Sequence, residues 1–321
     1  MNALASPASL KGVLSGREAA AALAEGLRTG GAEVVEAPVA DGGEGTLDLL
    51  HAELGGDWRL ATVTGPMGGE VEARWLLLPD GMAAVESAEA IGLGLVPERD
   101  RDVLRASSRG LGELIHEAMD ADPAELVVFL GGVATVDGGI GLLEVLGGFR
   151  LPVRAATDVR APLGDAVWVY AAQKGARPEQ LPELERRLHS KRRLASVASL
   201  PGAGAAGGIG AALAALGAEL VEGAPLVLDL TGFPARLDGA DLVVTGEGTV
   251  DATTFAGKAP SAVLEAAEAA GVRSALFGGR VLETPDGVEA YELSGEPERA
   301  REDLVELGQR LVTAAATGRT A

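Results

Sequence analysis

Short apolar runs that open into glycine-rich, charged turns are the feature that most constrains the fold of this chain. Residues 240–244 form one such run and lead into 245–251, where two carboxylates stand among glycines. Residues 126–130 form another run and lead into the turn 131–139. A helical segment follows each turn, and this strand–turn–helix order predicts an α/β fold with mostly parallel sheets. Such sheets bind ligands at the carboxyl ends of their strands, so the turns are the candidate site, although any one of them alone also fits a solvated turn.

The composition narrows the class of protein. The 321 residues suffice for two domains, and with only 3% aromatic residues their cores must consist mainly of Ala, Val and Leu. A formal net charge of −20 argues against nucleic acid or an anionic membrane as a partner. The absence of cysteine excludes disulfides and thiol catalysis. Without a basic leader or a long apolar stretch, we expect a soluble, cytoplasmic protein.

Local patterns predict several elements. Ser15, with Glu18 three residues later, has the spacing of a capping box at a helix start. Alternating residues and a turn signal over 60–86 predict an antiparallel ribbon. The charged segment 178–195 predicts a helix, with Lys191 near its end, where a cation interacts favourably with the helix dipole.

Lysine is rare in this chain, with only four among its 27 basic residues. Lys11, Lys174 and Lys258 each adjoin a glycine. A compact ammonium kept close to the backbone suits phosphate binding, although chance also explains any one of these pairs.

Asp41 and Glu44 flank Gly42 and Gly43 before a predicted helix over 46–54. Free N–H groups at a helix start attract an anion, and two acids beside it would hold a cation. An acidic helix cap explains Asp41 equally well.

Gly202, Gly204 and Gly207 match the pattern G-x-G-x-x-G, but no convincing strand precedes them and no acid follows at the ribose-binding spacing. The sequence therefore gives little support to a nicotinamide-dependent dehydrogenase. A turn onto a helix N-terminus in this segment would still bind an anion.

Other catalytic motifs are missing from the sequence. Lys258 is followed by Ala259, which excludes a P-loop, and no G-x-S-x-G or H-E-x-x-H pattern occurs. If the turns converge, lysines for phosphate oxygens and carboxylates for Mg²⁺ or a hydroxyl proton match phosphoryl transfer best.

Several segments together resemble the bacterial type I glycerate kinases. They are 38–46, 156–163, 173–176, 201–213 and 245–260. The resemblance implies an ATP-dependent kinase that uses Mg²⁺ to phosphorylate D-glycerate, usually to 2-phosphoglycerate.

The resemblance also implies two α/β domains with mostly parallel, Rossmann- or flavodoxin-like sheets, one inserted into the other, and a site in the cleft between them. We expect the outer domain at 1–84 plus 237–321 and the inserted domain at 85–236. The small-molecule partner would be D-glycerate, without nucleic acid or membrane, and a homodimer is left open.

Site residues are carried over by motif position. The implied catalytic residues are Lys11, Asp137, Lys174, Glu247, Asp251 and Lys258. The implied magnesium ligands are Asp137, Glu247 and Asp251, and Asp158 also inherits a candidate role. The implied cofactor-binding residues are Asp41, Gly42, Gly43, Glu44, Gly131, Gly132, Gly202, Gly204, Gly207 and Gly208. Which carboxylate accepts the hydroxyl proton stays open.

The chain departs from the family pattern at a few positions. Ala8 and Leu10 replace an acid and an aromatic residue, and Val133 and Val136 replace Ser and Asn. The segment 148–153 is also shorter than usual. The substitutions at positions 8, 133 and 136 motivate an alternative function, a non-catalytic relative that senses a nucleotide or a small hydroxy acid.

Overall fold

The structure is a computed structural model that describes residues 1–189, 192–284 and 287–317. The strands, in chain order, are β1 (Asn2–Ala5), β2 (Glu33–Glu36), β3 (Asp57–Thr64), β4 (Glu70–Leu77), β5 (Met82–Glu86), β6 (Glu125–Phe129), β7 (Val153–Thr157), β8 (Glu219–Glu222), β9 (Leu242–Val250), β10 (Arg273–Val281) and β11 (Glu289–Glu292). The α-helices are α1 (Gly16–Thr29), α2 (Thr46–Leu54), α3 (Ser87–Ile91), α4 (Arg109–Asp120), α5 (Ile140–Val145), α6 (Asp165–Tyr170), α7 (Leu181–His189), α8 (Ala205–Ala215), α9 (Gly223–Leu230), α10 (Phe233–Leu237), α11 (Ala259–Ala270) and α12 (Ala300–Thr317).

The chain forms two compact units. The first unit comprises Met1–Asp41 and Ala224–Ala321, and the second unit comprises Gly42–Gly223. The boundaries expected from the sequence, at 84/85 and 236/237, differ from this division. The reason is that the antiparallel ribbon pairs through β5 with β6, so it belongs to the sheet of the second unit.

The first unit has a parallel sheet with strand order β11-β10-β9-β1-β2. Successive side chains of a strand point to opposite faces, so Ala3 and Ala5 contact one core and Leu4 the other. The first core is closed by α1 and α12, and the second by α10 and α11. The Ser15–Glu18 capping box at the start of α1 is confirmed, with the Glu18 N–H donating to Ser15 Oγ at 3.2 Å.

The second unit has a mixed sheet with strand order β3-β4-β5-β6-β7-β8. Strands β3, β4 and β5 pair antiparallel, which confirms the predicted ribbon, and β5 to β8 are parallel. Buried Leu, Val and Ala dominate its core, as the scarcity of aromatic residues requires. The predicted α/β fold with mostly parallel sheets is confirmed.

Two predicted elements differ from the observed ones. The segment 245–250, expected as a turn, continues strand β9, because Gly246 fits directly against the carbonyl and ring of Phe277 on β10. The helix expected over 178–195 is limited to α7, with short 3₁₀ turns at 178–180 and 192–194. Lys191 lies outside the described residues.

Strand β8 and helices α9 and α10 were not anticipated from the sequence. Within the described ranges, no helix combines the length and the apolar character that crossing a membrane requires.

The crossing of α1 and α12 generates a stability prediction. A Cβ atom on Gly26 would overlap the backbone carbonyl of Val305, so Gly26→Ala must push the two helices apart. We expect the free energy of unfolding to fall by roughly 1–3 kcal/mol, measured by urea denaturation followed by circular dichroism. Gly16→Ala in the same helix is the control, because its Cβ would make only ordinary contacts of 3.6 Å or more. Equal stability of both variants would contradict this close contact.

Candidate active site

In the first unit, three neighbouring strands deliver candidate residues to the same edge of the sheet. Lys11 follows β1, Asp41 follows β2, and Glu247 lies near the end of β9. The backbone continues side by side beyond the strands, with Ala8 N donating to Gly246 O at 2.9 Å and Val39 N to Pro7 O at 3.0 Å. The structure therefore brings these segments together at the carboxyl ends of the strands, where parallel sheets bind ligands.

Glu247 is the centre of a small polar cluster. Its Oε1 accepts a hydrogen bond from Thr254 Oγ1 at 2.7 Å, and its Oε2 lies 3.4 Å from Lys258 Nζ. Both side chains of the ion pair are mostly buried, Glu247 being 14% exposed and Lys258 27%. Lys258 is the N-cap residue of α11, so its ammonium stands at a helix start beside a carboxylate.

Asp251 follows β9 directly and is held by its own turn. Its Oδ1 accepts hydrogen bonds from Thr253 N at 2.8 Å and Thr253 Oγ1 at 2.6 Å. These hydrogen bonds, with a further contribution from the charge of Lys258, lower the pKa of Asp251. Asp251 is therefore a carboxylate at neutral pH.

Two hydroxyl groups close to this edge have no hydrogen-bond partner among the described residues. They belong to Ser6, which follows β1, and Thr245 in β9, and both side chains are fully buried. Ser6 N donates to Val244 O, so the two residues are neighbours across the β1–β9 pair. Buried polar groups normally have partners, which ordered water or a bound ligand at these strand ends would supply.

In the second unit, glycines bring two other predicted segments together. A Cβ on Gly131 would lie 3.1 Å from the α-carbon of Gly43, and one on Gly132 would lie 3.6 Å from Glu44 Oε2. Gly42 is equally close to Gly223, at 3.1 Å. The segment 42–44 therefore lies against the turn that follows β6.

Glu86 lies at the N-terminus of α2, where the sequence analysis predicted that an anion would bind. Its carboxylate accepts hydrogen bonds from Gly45 N at 2.8 Å and Leu47 N at 3.3 Å, at the N-terminus of α2. Burial raises the pKa of Glu86 to about 7, with Glu89 and Glu44 adding to the shift and the two N–H donors opposing it. The expected free N–H groups at this helix start are thus engaged by the chain itself.

The carboxylate of Asp137 binds groups of its own chain and thereby stabilises the local backbone. Its two oxygens accept hydrogen bonds from the backbone N–H groups of Ser108, Gly139 and Gly141, and from Ser108 Oγ at 2.8 Å. A carboxylate with four donors at the start of α5 caps that helix and fixes the turn. The predicted roles of Asp137 as metal ligand and base find no support in this geometry.

Lys174 is buried, and its ammonium is bound to the backbone of its own unit. Its Nζ donates to the carbonyl of Thr135 at 2.8 Å, and the residue is 5% exposed. Burial lowers the pKa of Lys174 to about 7, and the negative charge of Asp137 partly offsets this effect. The hydroxyl of Thr135 is buried without a partner, so this turn too has an unsatisfied polar group.

The glycine segment 202–208 is a packing surface instead of an open anion cradle. A Cβ on Gly207 would overlap the carbonyl of Thr135, and one on Gly204 the carbonyl of Pro162. The N–H groups of Gly204 and Gly208 already donate to backbone carbonyls. The positive φ angles of 70° at Gly207 and 93° at Gly208 explain why glycine is needed here.

No group of three or more acidic, histidine or cysteine side chains suited to a metal ion occurs in the part of the chain that the structure describes. The predicted magnesium set of Asp137, Glu247 and Asp251 is therefore not a preformed cluster. Magnesium in kinases is held by one or two carboxylates together with substrate phosphates, so Glu247 and Asp251, as hard oxygen donors, still fit that requirement. Glu86, at the end of β5 in the second unit, is a residue that the sequence analysis did not select.

Comparison with known proteins gives a consistent result. The Glycerate kinase family model matches residues 3–152 and 148–315. The two matched segments overlap at 148–152, in the connection between α5 and β7.

Named relatives cover most of the chain. It is 38% identical over 313 residues to "Glycerate 2-kinase" of Escherichia coli K12, covering 84% of this chain and 82% of that protein. It is 36% identical to "Glycerate kinase" of Bacillus subtilis 168 over the same shares. A crystal structure of a "putative glycerate kinase 2" from Salmonella typhimurium LT2 matches with a TM-score of 0.84, 33% identity and 99% coverage of both chains.

The buried carboxyl of Glu86 generates a prediction for the pH dependence of stability. Its folded pKa of about 7 is above the ordinary value of 4.5, so its protonated form stabilises the fold below pH 4.5. This contribution is lost as the pH rises through 7. Relative to Glu86→Gln, the free energy of unfolding of the parent protein should therefore fall by about 3 kcal/mol over this range.

The measurement is urea denaturation of both proteins from pH 4.5 to pH 8. Glu117→Gln on the exposed face of α4 is the control and should follow the parent curve. A constant difference between the parent protein and Glu86→Gln at every pH would show that Glu86 does not titrate in this range.

Proposed function

The chain belongs to the glycerate kinase family, and we propose that it is a type I member that transfers the γ-phosphoryl group of ATP to the 2-hydroxyl of D-glycerate. The reaction class rests on the family and on relatives named glycerate kinases. The 2-phosphoglycerate product is favoured by the similarity to a protein named Glycerate 2-kinase.

The observation that best supports this assignment is the cluster at the end of β9. Lys258, Glu247 and Asp251 stand within one strand-end segment, beside buried hydroxyls that lack partners. Phosphoryl transfer depends mainly on positioning and on neutralising the charge of the transferred group. A half-buried ammonium and two carboxylates at a sheet edge supply those functions without a preformed metal cluster.

We assign the groups as follows. The ammonium of Lys258 neutralises a phosphate oxygen, and Lys11 on the adjacent loop contributes a second positive charge. Asp251, with its lowered pKa, stays ionised and is suited to hold Mg²⁺, which when bound would neutralise charge on the phosphates. Glu247 is the remaining carboxylate of the cluster, and it accepts the proton of the substrate hydroxyl group.

Lys174 and Asp137 stabilise a turn of the second unit. Lys174 fixes the carbonyl of Thr135, and Asp137 fixes the start of α5. Together they hold the turn after β6 in one conformation. We therefore assign both as positioning residues, in place of the direct roles that the sequence suggested.

Substitution of the β9 cluster tests the proposal. Lys258→Ala and Asp251→Ala should each lower kcat/KM for D-glycerate by about 10²-fold or more, because charge stabilisation in the transition state is lost. A coupled assay of ADP formation with Mg-ATP measures this, and circular dichroism checks that both variants are folded. Near-parental turnover of both variants would remove these assignments.

A control variant and an analysis of the product complete the test. Glu268→Gln on the exposed face of α11 changes a charge on the same helix and should keep the parental rate. Phosphorus NMR of the product distinguishes 2-phosphoglycerate from 3-phosphoglycerate. Binding of ATP or D-glycerate by the parent protein without ADP formation would instead favour the sensor function.

A further inference from the structure

A polar cavity of about 500 Å³ lies in the second unit. It is lined by the loop 99–105, by Gly175 to Gln180 in part, and by Met67. Its volume is within the range of sites that bind small molecules. None of its lining residues belongs to the predicted catalytic, metal or cofactor-binding sets.

Arginines dominate the wall of this cavity. Arg99, Arg101, Arg105 and Arg177 face two acidic residues, Asp100 and Asp102. The excess is therefore positive, in a chain whose formal net charge is −20. Arg99 pairs with Asp100 at 3.5 Å and Arg177 pairs with Glu179 at 2.9 Å. Arg101 and Arg105 are the two cations of the wall without such a carboxylate among the described residues, so this part of the cavity favours a negatively charged ligand.

The protein leaves much of this hydrogen-bonding capacity unused. Arg101 donates only through Nε, to the carbonyl of Val96 at 3.3 Å, and the Arg105 side chain has no hydrogen bond or ion pair with any described residue. The nearby Asp102 is engaged elsewhere, since its Oδ1 accepts from Leu104 N at 3.0 Å. Two guanidinium groups thus retain free donors that match the paired oxygens of phosphate or carboxylate.

Gln180 and Gly175 complete the wall of the cavity and are held in place by contacts with its arginines. Gln180 accepts a hydrogen bond from Arg177 N through its Oε1, which leaves its side-chain NH₂ group as a donor. Gly175, at a φ of 92°, packs closely on the stem of Arg101, where a Cβ would lie 3.2 Å away. The contact holds the half-buried Arg101 side chain against the loop after Lys174.

We propose that this cavity is a second anion site, which binds a compact phosphate- or carboxylate-bearing molecule through Arg101 and Arg105. Inorganic phosphate and a phosphorylated small acid share this chemistry. The proposal does not depend on the kinase assignment, because it concerns binding at residues outside the β9 cluster.

Isothermal titration calorimetry of the full chain tests the proposal. Inorganic phosphate and 3-phosphoglycerate are titrated into the Lys258→Ala protein, in which a competing phosphate-binding residue is absent, and into the same protein with Arg101→Gln and Arg105→Gln added. We expect the added changes to weaken binding by at least about 10-fold, because two charge-assisted contacts are lost. Adding Arg59→Gln on β3 instead, an exposed arginine of the same unit, should leave the affinity unchanged.

The two ligands identify the source of the anion. Tighter binding of 3-phosphoglycerate indicates a phosphorylated acid, and equal affinity indicates recognition of the phosphate group alone. The proposal is overturned if neither ligand binds, if the Arg101/Arg105 changes leave the affinity intact, or if Arg59→Gln weakens binding as much. The ADP-formation assay is a separate readout, so failure of this site and failure of the kinase assignment are distinguishable.

Discussion

Direct contact between backbones, which only glycine permits, is the interaction on which both units depend. A chain with 3% aromatic residues fills its cores with Ala, Val and Leu, so its elements must approach closely to reach interior packing density. Gly26 allows α1 to meet α12, Gly246 allows β9 to meet β10, and Gly207 allows α8 to meet the turn after β6. These contacts fix the strand-end loops relative to their own sheets, which is the precondition for a precise site in either unit.

The charged groups at the strand ends are of two kinds. Some stabilise the fold through hydrogen bonds to the backbone at helix starts and turns, and others remain suited to bind a ligand. Glu86 and Asp137 are bound by backbone N–H groups at helix starts, and Lys174 is bound by a carbonyl. Such groups satisfy orphaned helix termini and would lose those bonds by turning to a ligand. Glu247 interacts with the ammonium of Lys258 and the hydroxyl of Thr254. Asp251 accepts hydrogen bonds from the backbone N–H and the hydroxyl of the exposed Thr253, within its own turn and not at a helix start. Exchange of such partners for a ligand costs the fold less, which is why the β9 cluster is the stronger candidate.

The sequence predicted what depends on local signals. The Ser15–Glu18 capping box, the antiparallel ribbon and the strand–turn–helix order all follow from residues close in the chain. The role of Glu86 does not, because its partner Gly45 is 41 residues away and no local pattern links them. An acid at the end of an otherwise apolar strand was the available signal.

The extension of β9 through 245–250 was missed for a related reason. Glycines there indicate a turn by composition, but their pairing with β10 is decided by a strand later in the chain.

Packing between distant residues also explains departures from the family pattern. Val133 and Val136 are 2% and 1% exposed and pack in the apolar core of the second unit, and Leu10 is buried in a core of the first unit. Because buried Ser or Asn side chains would need hydrogen-bond partners there, valine fits these positions without any loss of groups that face a ligand. Val133 and Val136, two of the three substitutions that motivated a non-catalytic relative, are therefore changes in core packing. The third, Ala8, is partly buried and packs against a core of the first unit. The residues of the proposed β9 cluster, Glu247, Asp251 and Lys258, are all present.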